Sequence, residues 1–572
     1  MKKVLSFLGP YKVAVFIALF FTLTELSVEL IQPLLMRRII DDGILQEDLS
    51  VVLLWGGILV GLSLMAFASG ILNSFYAAHA SQGTGYDLRE KLFDKVQSFS
   101  FANFSQYPTS SLITRMTNDV TQIQNTLFMS LRIMLRAPLL VIGSVIMALF
   151  VHVKLALILV IAIPLLLTIL LWIMKHAGRL FRSVQEKLDK VNGVMQENLA
   201  GIRLIKAFIR RKHESKRFTE ASGNLRDRTI AALRLIEIGM PIILLIMNVC
   251  IMAVLWFGSF EVNTGGASVG DVVAIVNYTT RMTAAIGMFS MIVMIFSRAN
   301  ASATRIADVL ETEIDLVDTD ESEVGNRISE GKVSFESVSF KYPETSTYVL
   351  ENMSFHVESG ERVAIMGATG SGKSTLFQLI PRLYDVDSGK ITIDNLDIRD
   401  MKLHVLRKQI GFVPQEAMLF TGSLKDNIHW GKENATMEEI ITAAKAAQIH
   451  ETIMEFPDQY DTLLGQKGVN LSGGQKQRLS IARALVRKPK LLLLDDSTSA
   501  LDVTTEKRLL EALKDYSCTT FMITQKMSTT MNADTILLLE DGKLLAKGSH
   551  EELLEHSSLY QKIYESQFGE EM

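Results

Sequence analysis

Cysteine is scarce in this chain: 572 residues carry two, Cys250 in an apolar run and Cys518 in an expected strand. Two thiols in different halves provide neither a disulfide framework nor a zinc site. Excess positive charge is lacking too, since 58 Lys and Arg against 62 Asp and Glu leave a net charge of −4. Basic residues gather in particular loops rather than along one stripe, so nucleic acid is not an expected partner. Apolar residues are abundant, at 48% of the chain against 21% charged, and they are unevenly spread. Long apolar runs fill the first roughly 300 residues, and short strands, helices and glycine-rich turns alternate after them. A membrane domain followed by a soluble domain is the simplest division.

A helix needs about 20 apolar residues to cross a bilayer core. Six stretches qualify, at about 14–36, 52–78, 132–152, 154–176, 235–260 and 271–297. The opening "MKKVLSFLGPYKVAVFIALFFTLTE" has the charge order of a secretory signal. No small-residue cleavage site follows it, and comparable apolar segments come after, so it reads as an uncleaved first span. Short links alternate with long polar segments at about 79–131 and 177–234, which keep helical periodicity. The long segments carry "KHAGRLFRSVQEKLDK" and "IRRKHESKRF", whereas the first short link holds "DDGILQED". By the positive-inside rule, both termini and both long loops are expected in the cytoplasm. Within the spans, Glu25 and Glu29 share a helix face, and Asn277 and Arg281 are also i and i+4 partners. Intramembrane charges are expensive, so this is a polar patch in a substrate path, a Glu–Arg pair locking helices together, or a cytoplasmic offset in the span boundaries.

"AIMGATGSGKST" follows an apolar strand and precedes a helix, which is the context a phosphate-binding P-loop requires. Gly367, Gly370 and Gly372 let backbone N–H groups approach the phosphates, Lys373 reaches the β and γ phosphates, and Ser374 ligates Mg²⁺. A second glycine-led helix start, "LSGGQKQRLSIARAL", lies roughly 100 residues further on and is itself an anion site. Two phosphate sites for one nucleotide make sense if two such domains face each other head-to-tail, each lending Leu471–Gln475 to the other's P-loop.

On these residues the whole chain resembles a half-transporter of the ATP-binding cassette (ABC) exporter family. The resemblance implies a multi-domain fold: a six-helix transmembrane domain with long cytoplasmic helical extensions over 1–310, a linker over 311–330, and an α/β nucleotide-binding domain over 331–572. It implies Tyr342 as the aromatic that stacks on adenine. It implies Gly367, Thr369, Gly370, Ser371, Gly372, Lys373, Ser374 and Thr375 as the ATP cradle and Gln415 as the Q-loop residue. Leu471, Ser472, Gly473, Gly474 and Gln475 would form the signature, and Asp502 the D-loop. Ser374, Gln415 and Asp495 would serve Mg²⁺. The loops at 104–120 and 194–208 would carry the short helices that touch the cassettes.

The sequence departs from the family pattern in "LLLLDDSTSALD". Asp496 stands where the family places Glu, the residue that polarises the attacking water. Losing a methylene withdraws the carboxylate by about 1.5 Å, and a misplacement of about 1 Å can cost on the order of 10²-fold in rate. Gln525 replaces the usual switch His, and Gln466 replaces the usual Glu before the signature. An amide hydrogen-bonds but does not carry a proton as imidazole does. The pattern resembles the degenerate half of a heterodimeric bacterial multidrug exporter. The expected activity is ATP-driven export of amphipathic small molecules across the plasma membrane, with hydrolysis mainly at the partner's P-loop. Lipid or lipid-linked cargo is one rival reading, and a regulatory ATP-binding subunit without transport is another. The sequence does not identify the cargo.

Overall fold

The computed structural model describes residues 2–316, 318, 328–343 and 345–569, so most of the linker expected at 311–330 lies outside the described residues. The chain divides into two units: 1–97 with 109–312, and 98–108 with 313–572.

The first unit is helical. Among the described residues, six helical stretches are long and apolar enough to cross a membrane, running over Lys3–Ile44, Leu49–Gln97, Thr109–Val151, Val153–Ala200, Arg211–Asn263 and Val269–Glu311. The helix Leu49–Gln97 has 49 residues, which is about 74 Å at 1.5 Å per residue and more than twice a roughly 30 Å hydrocarbon core. The surplus accounts for the polar, periodic segments seen in the sequence. Packing between helices uses small residues and short polar bridges, as expected where lipid is as apolar as leucine. Ala18, Ala77 and Ala80 are fully buried. The Asn73 amide donates to Thr22 Oγ1 at 3.0 Å, and the Tyr278 hydroxyl donates to the Leu30 carbonyl at 2.6 Å. At one end of the bundle, Asp41 accepts from Ser268 Oγ and from the Gly270 amide, and His152 Nε2 lies 3.1 Å from the Gly266 carbonyl oxygen. The ends at 39–44, 152 and 264–270 therefore share one side.

The second unit is α/β. Its strands, in chain order, are β1 Val333–Phe340, β2 Leu350–Val357, β3 Arg362–Gly367, β4 Ser388–Ile393, β5 Leu396–Asp397, β6 Ile410–Val413, β7 Gly422–Ser423, β8 Leu463–Leu464, β9 Leu491–Asp495, β10 Thr519–Ile523, β11 Thr535–Glu540 and β12 Lys543–Gly548. One sheet has the order β2-β1-β4-β5 and a second the order β12-β11-β3-β10-β9-β6, with β7 and β8 paired separately. From β11 to β6 the larger sheet is parallel. Every residue of β9 and β10 is buried, as expected of central parallel strands covered on both faces. The short helix Phe101–Gln106 belongs to this unit. It is capped by Ser100 and Asn103, and the Phe101 ring lies 6.1 Å from that of Tyr384.

Candidate nucleotide site

Parallel strands bring their carboxyl ends to one edge, where ligands of open α/β sheets bind. The adjacent order β3-β10-β9-β6 sets four loops along that edge: the P-loop after Gly367, Gln525 after Ile523, Asp495 and Asp496 at the end of β9, and Gln415 after Val413. Residues far apart in sequence thus converge through strand order alone.

The P-loop turns on glycines that another residue would strain. Gly367 has φ +152° and Gly372 φ +92°. A Cβ at Gly367 would meet the Leu539 carbonyl oxygen at 2.3 Å, and one at Gly372 the Val349 carbonyl oxygen at 2.9 Å. Ala368, Thr369 and Gly370 form the exposed tip, while Ser371, Lys373 and Thr375 are buried and Ser374 is exposed. Lys373 Nζ donates to the Gly367 carbonyl at 2.8 Å and the Ala368 carbonyl at 2.6 Å, folding its ammonium over the loop. Burial holds that ammonium below its ordinary pKa against the pull of Asp495 and Asp496.

Ser374 Oγ donates to Asp495 Oδ1 at 3.3 Å. Burial raises the Asp495 carboxyl above its ordinary pKa, with Ser374 opposing, the Asp496 charge adding and Lys373 opposing. Asp496 is likewise raised, first by burial. Two neighbouring carboxylates held above their ordinary values beside a hydroxyl are a donor set that a divalent cation relieves, so the residues fit Mg²⁺ with a triphosphate. Asp496 adopts a left-handed backbone, φ +44°, which Asp tolerates better than most side chains. Its Oδ2 accepts from Gln415 Nε2 at 3.4 Å. Gln525 is exposed, and its backbone carbonyl accepts from Gln567 Nε2 at 2.7 Å.

Tyr342 is half-buried. Its ring stands edge-on to Phe340 and Tyr384, and its hydroxyl lies 2.9 Å from Thr375 Oγ1 and 3.1 Å from Gln378 Oε1. That places it beside the helix leaving the P-loop and within the aromatic core as well.

Ser472 caps the helix Gly473–Leu485 in a capping box with Gln475, and Leu471 is buried. A Cβ on Gly474 would lie 2.9 Å from the Ala500 carbonyl oxygen, so the signature helix sits tightly against the loop that leads to Asp502. Gln477 Oε1 accepts from the Ala500 amide at 3.2 Å. Asp502 caps the helix Val503–Leu513 through the Thr505 amide. Gln466 is exposed in a short helical turn.

The sequence reading missed Lys526. Its ammonium donates to the Thr498 and Leu501 carbonyls and to Glu506 at 2.7 Å, so it ties the Gln525 segment to the loop after β9. Its position directly after Gln525 was the available signal.

A phosphate loop opposite paired carboxylates, a separate glycine-led helix start, and six membrane-length helices in the same chain define a membrane transporter powered by ATP. The chain belongs to the ABC transporter family and is an exporter half-transporter. Residues 15–286 match the ABC transporter transmembrane region, and residues 350–499 match the ABC transporter domain. It is 58% identical over 571 residues to the ABC transporter ATP-binding protein YfiB of Bacillus subtilis (strain 168), covering 100% of this chain and 99% of that one. YgaD of the same strain, named for multidrug export, is 34% identical over 99% of this chain and 98% of its own. The structure of a bacterial Atm1-family ABC exporter with ATP bound aligns with a TM-score of 0.82 at 26% identity, covering 98% of this chain and 99% of that one. The chain is thus a multi-pass membrane protein that binds ATP, couples ATPase activity to transport and works with a second ABC subunit.

Proposed function

We propose that this chain is the catalytically weak half of a heterodimeric plasma-membrane exporter of amphipathic small molecules. The observation that carries the reading is the mismatch within one site. The phosphate cradle is fully built, yet the carboxylate beside it is the short Asp496, bonded to Gln415, with an amide at Gln525 where imidazole would serve. ATP would rest on Gly367–Thr375 with Tyr342 at the base. Mg²⁺ would be held by Ser374, Asp495 and Gln415, whose amide nitrogen donates to Asp496 and leaves its oxygen as the acceptor. Bound Mg²⁺–ATP supplies the phosphoanhydride bond. The chain's own residues orient it, and Asp496 is poorly placed to polarise the attacking water.

The partner's P-loop, completed by Leu471–Gln475 of this chain, would be the fast site. Asp502 would support it from the D-loop. The basic flanks of the long loops support cytoplasmic termini, and the name of YgaD supports a multidrug-like cargo.

Vectorial flux in proteoliposomes tests this reading. A fluorescent amphipathic dye should move on ATP addition only when this chain is co-reconstituted with a half-transporter bearing Glu after its β9-equivalent Asp. Flux by this chain alone would refute the division of labour, and ATP turnover by the pair without flux of any amphiphile would favour a regulatory assembly.

A further inference from the structure

The intramembrane charges form a network rather than isolated pairs. Arg136, which the sequence reading did not single out, donates to Glu25 Oε1 at 2.6 Å and to Glu29 Oε2 at 2.7 Å and 3.3 Å. All three nitrogens of that guanidinium are thereby engaged. Arg281 differs. It donates to the neutral Gln32 amide oxygen at 2.8 Å and stands 3.6 Å from Glu29 Oε1, while the Asn277 amide donates to the Val273 carbonyl.

These groups lie at depth. At about 1.5 Å per residue, Glu29, Arg136 and Arg281 are roughly 14–23 Å from the helix ends at Arg38, Val151 and Val269, a depth that falls within a roughly 30 Å core. Those ends share one side of the bundle, as the contacts of Asp41 and His152 show.

Glu29, Arg136 and Arg281 line one wall of a cavity of about 350 Å³. Its other lining is mainly apolar, with Ile133, Leu140, Ala284 and Met288 prominent. Two helix irregularities border it: a π-type segment at Ser130–Met134, and the junction at Met288 between the helices ending at Gly287 and starting at Phe289. Such breaks in membrane helices concentrate at functional sites.

A guanidinium has five N–H donors, and Arg281 gives its hydrogen bond to a neutral acceptor. The two glutamates are already drawn to Arg136. The cavity therefore offers an apolar wall and, in Arg281, a cation whose ion pair with Glu29, at 3.6 Å, is looser than those of Arg136 at 2.6 and 2.7 Å. We propose that this cavity seats an amphiphile with an anionic head, a carboxylate or a phosphate, by a charge-assisted hydrogen bond to Arg281 that displaces Gln32. The assignment rests on the export reading above and narrows its cargo class.

Equilibrium binding to the full-length chain, co-purified with its partner half in phosphatidylcholine nanodiscs, tests the assignment. The probes are tritiated decanoate and tritiated decyltrimethylammonium, matched in tail and opposite in charge. Arg281→Gln removes the cation and its ion pair with Glu29 while leaving the Arg136 bonds to Glu25 and Glu29 in place. It should raise the Kd for decanoate at least about tenfold and not weaken decyltrimethylammonium, whereas Arg281→Lys should retain most decanoate affinity. Leu140→Trp, which fills the apolar wall, should weaken both probes. Competition by added phosphatidylglycerol would mark a lipid phosphate as the occupant, and indifference to it a non-lipid amphiphile; both support Arg281 as the anchor. Equal affinity for the two probes in the native protein, or decanoate binding untouched by Arg281→Gln or by Leu140→Trp, would overturn the proposal. Charge-selective binding without ATP-driven flux would instead sink the export reading and leave this site standing.

Discussion

Asp495 carries an energetic burden that the bound state relieves. A carboxyl whose pKa is raised on folding costs stability only when ionised: the cost is absent below its unfolded value and complete above the raised folded value. Burial is the main cause here, so the ionised carboxylate of the nucleotide-free protein bears that cost. Asp495→Asn should therefore raise the nucleotide-free Tm by about 1–3 °C. It should also abolish the further rise that Mg²⁺–ATP gives the native chain. The Tm gap between variant and native protein should close as pH falls through the carboxylate range. A variant less stable than the native protein at pH 7.5, or one still stabilised by Mg²⁺–ATP, would contradict this reading.

Among the elements, the hairpin of Val153–Ala200 and Arg211–Glu237 ends in a pinned tip. Asn198 Nδ2 donates to Glu214 Oε2 at 2.8 Å, and Arg217 pairs with Glu197. The short helix Ile202–Ala207 follows, and Leu204 and Phe208 stand 64% and 72% exposed. Apolar side chains on an otherwise polar tip mark a contact surface, and the family resemblance assigns it to a cassette. Leu204→Glu or Phe208→Asp should uncouple ATP turnover from transport, cutting dye flux per ATP about tenfold while dye binding survives. Lost dye binding with normal coupling would reject that role.

The P-loop, Gln415, Asp495 and Gln525 were legible because each ends or follows a short apolar strand and uses residue types with one chemistry. Their convergence was less legible, since the order β3-β10-β9-β6 depends on pairings between distant segments. Arg136 was missed for the same reason. Its partners Glu25 and Glu29 lie on another helix, and no local period records a bond across that separation. Lys526 was hidden because a lysine after a strand reads as a solvated end until the loop it holds is seen.

For the whole molecule, the proposed function divides ATP chemistry between two unlike sites built across one interface. The signature helix and the loop to Asp502 are tightly packed through Gly474 and Gln477, and under the proposed function this rigid pair would complete the partner's site. That division predicts unequal consequences for mutations on the two sides. The decisive measurement is steady-state ATPase of the assembled pair carrying either Asp496→Ala or Ser472→Ala in this chain. Asp496→Ala should leave turnover within about twofold of native, and Ser472→Ala should lower it on the order of 10²-fold by removing a donor from the partner's nucleotide. The reverse pattern, or vigorous turnover by this chain as a homodimer that Asp496→Ala abolishes, would show that the shortened carboxylate suffices and that this is not the weak half.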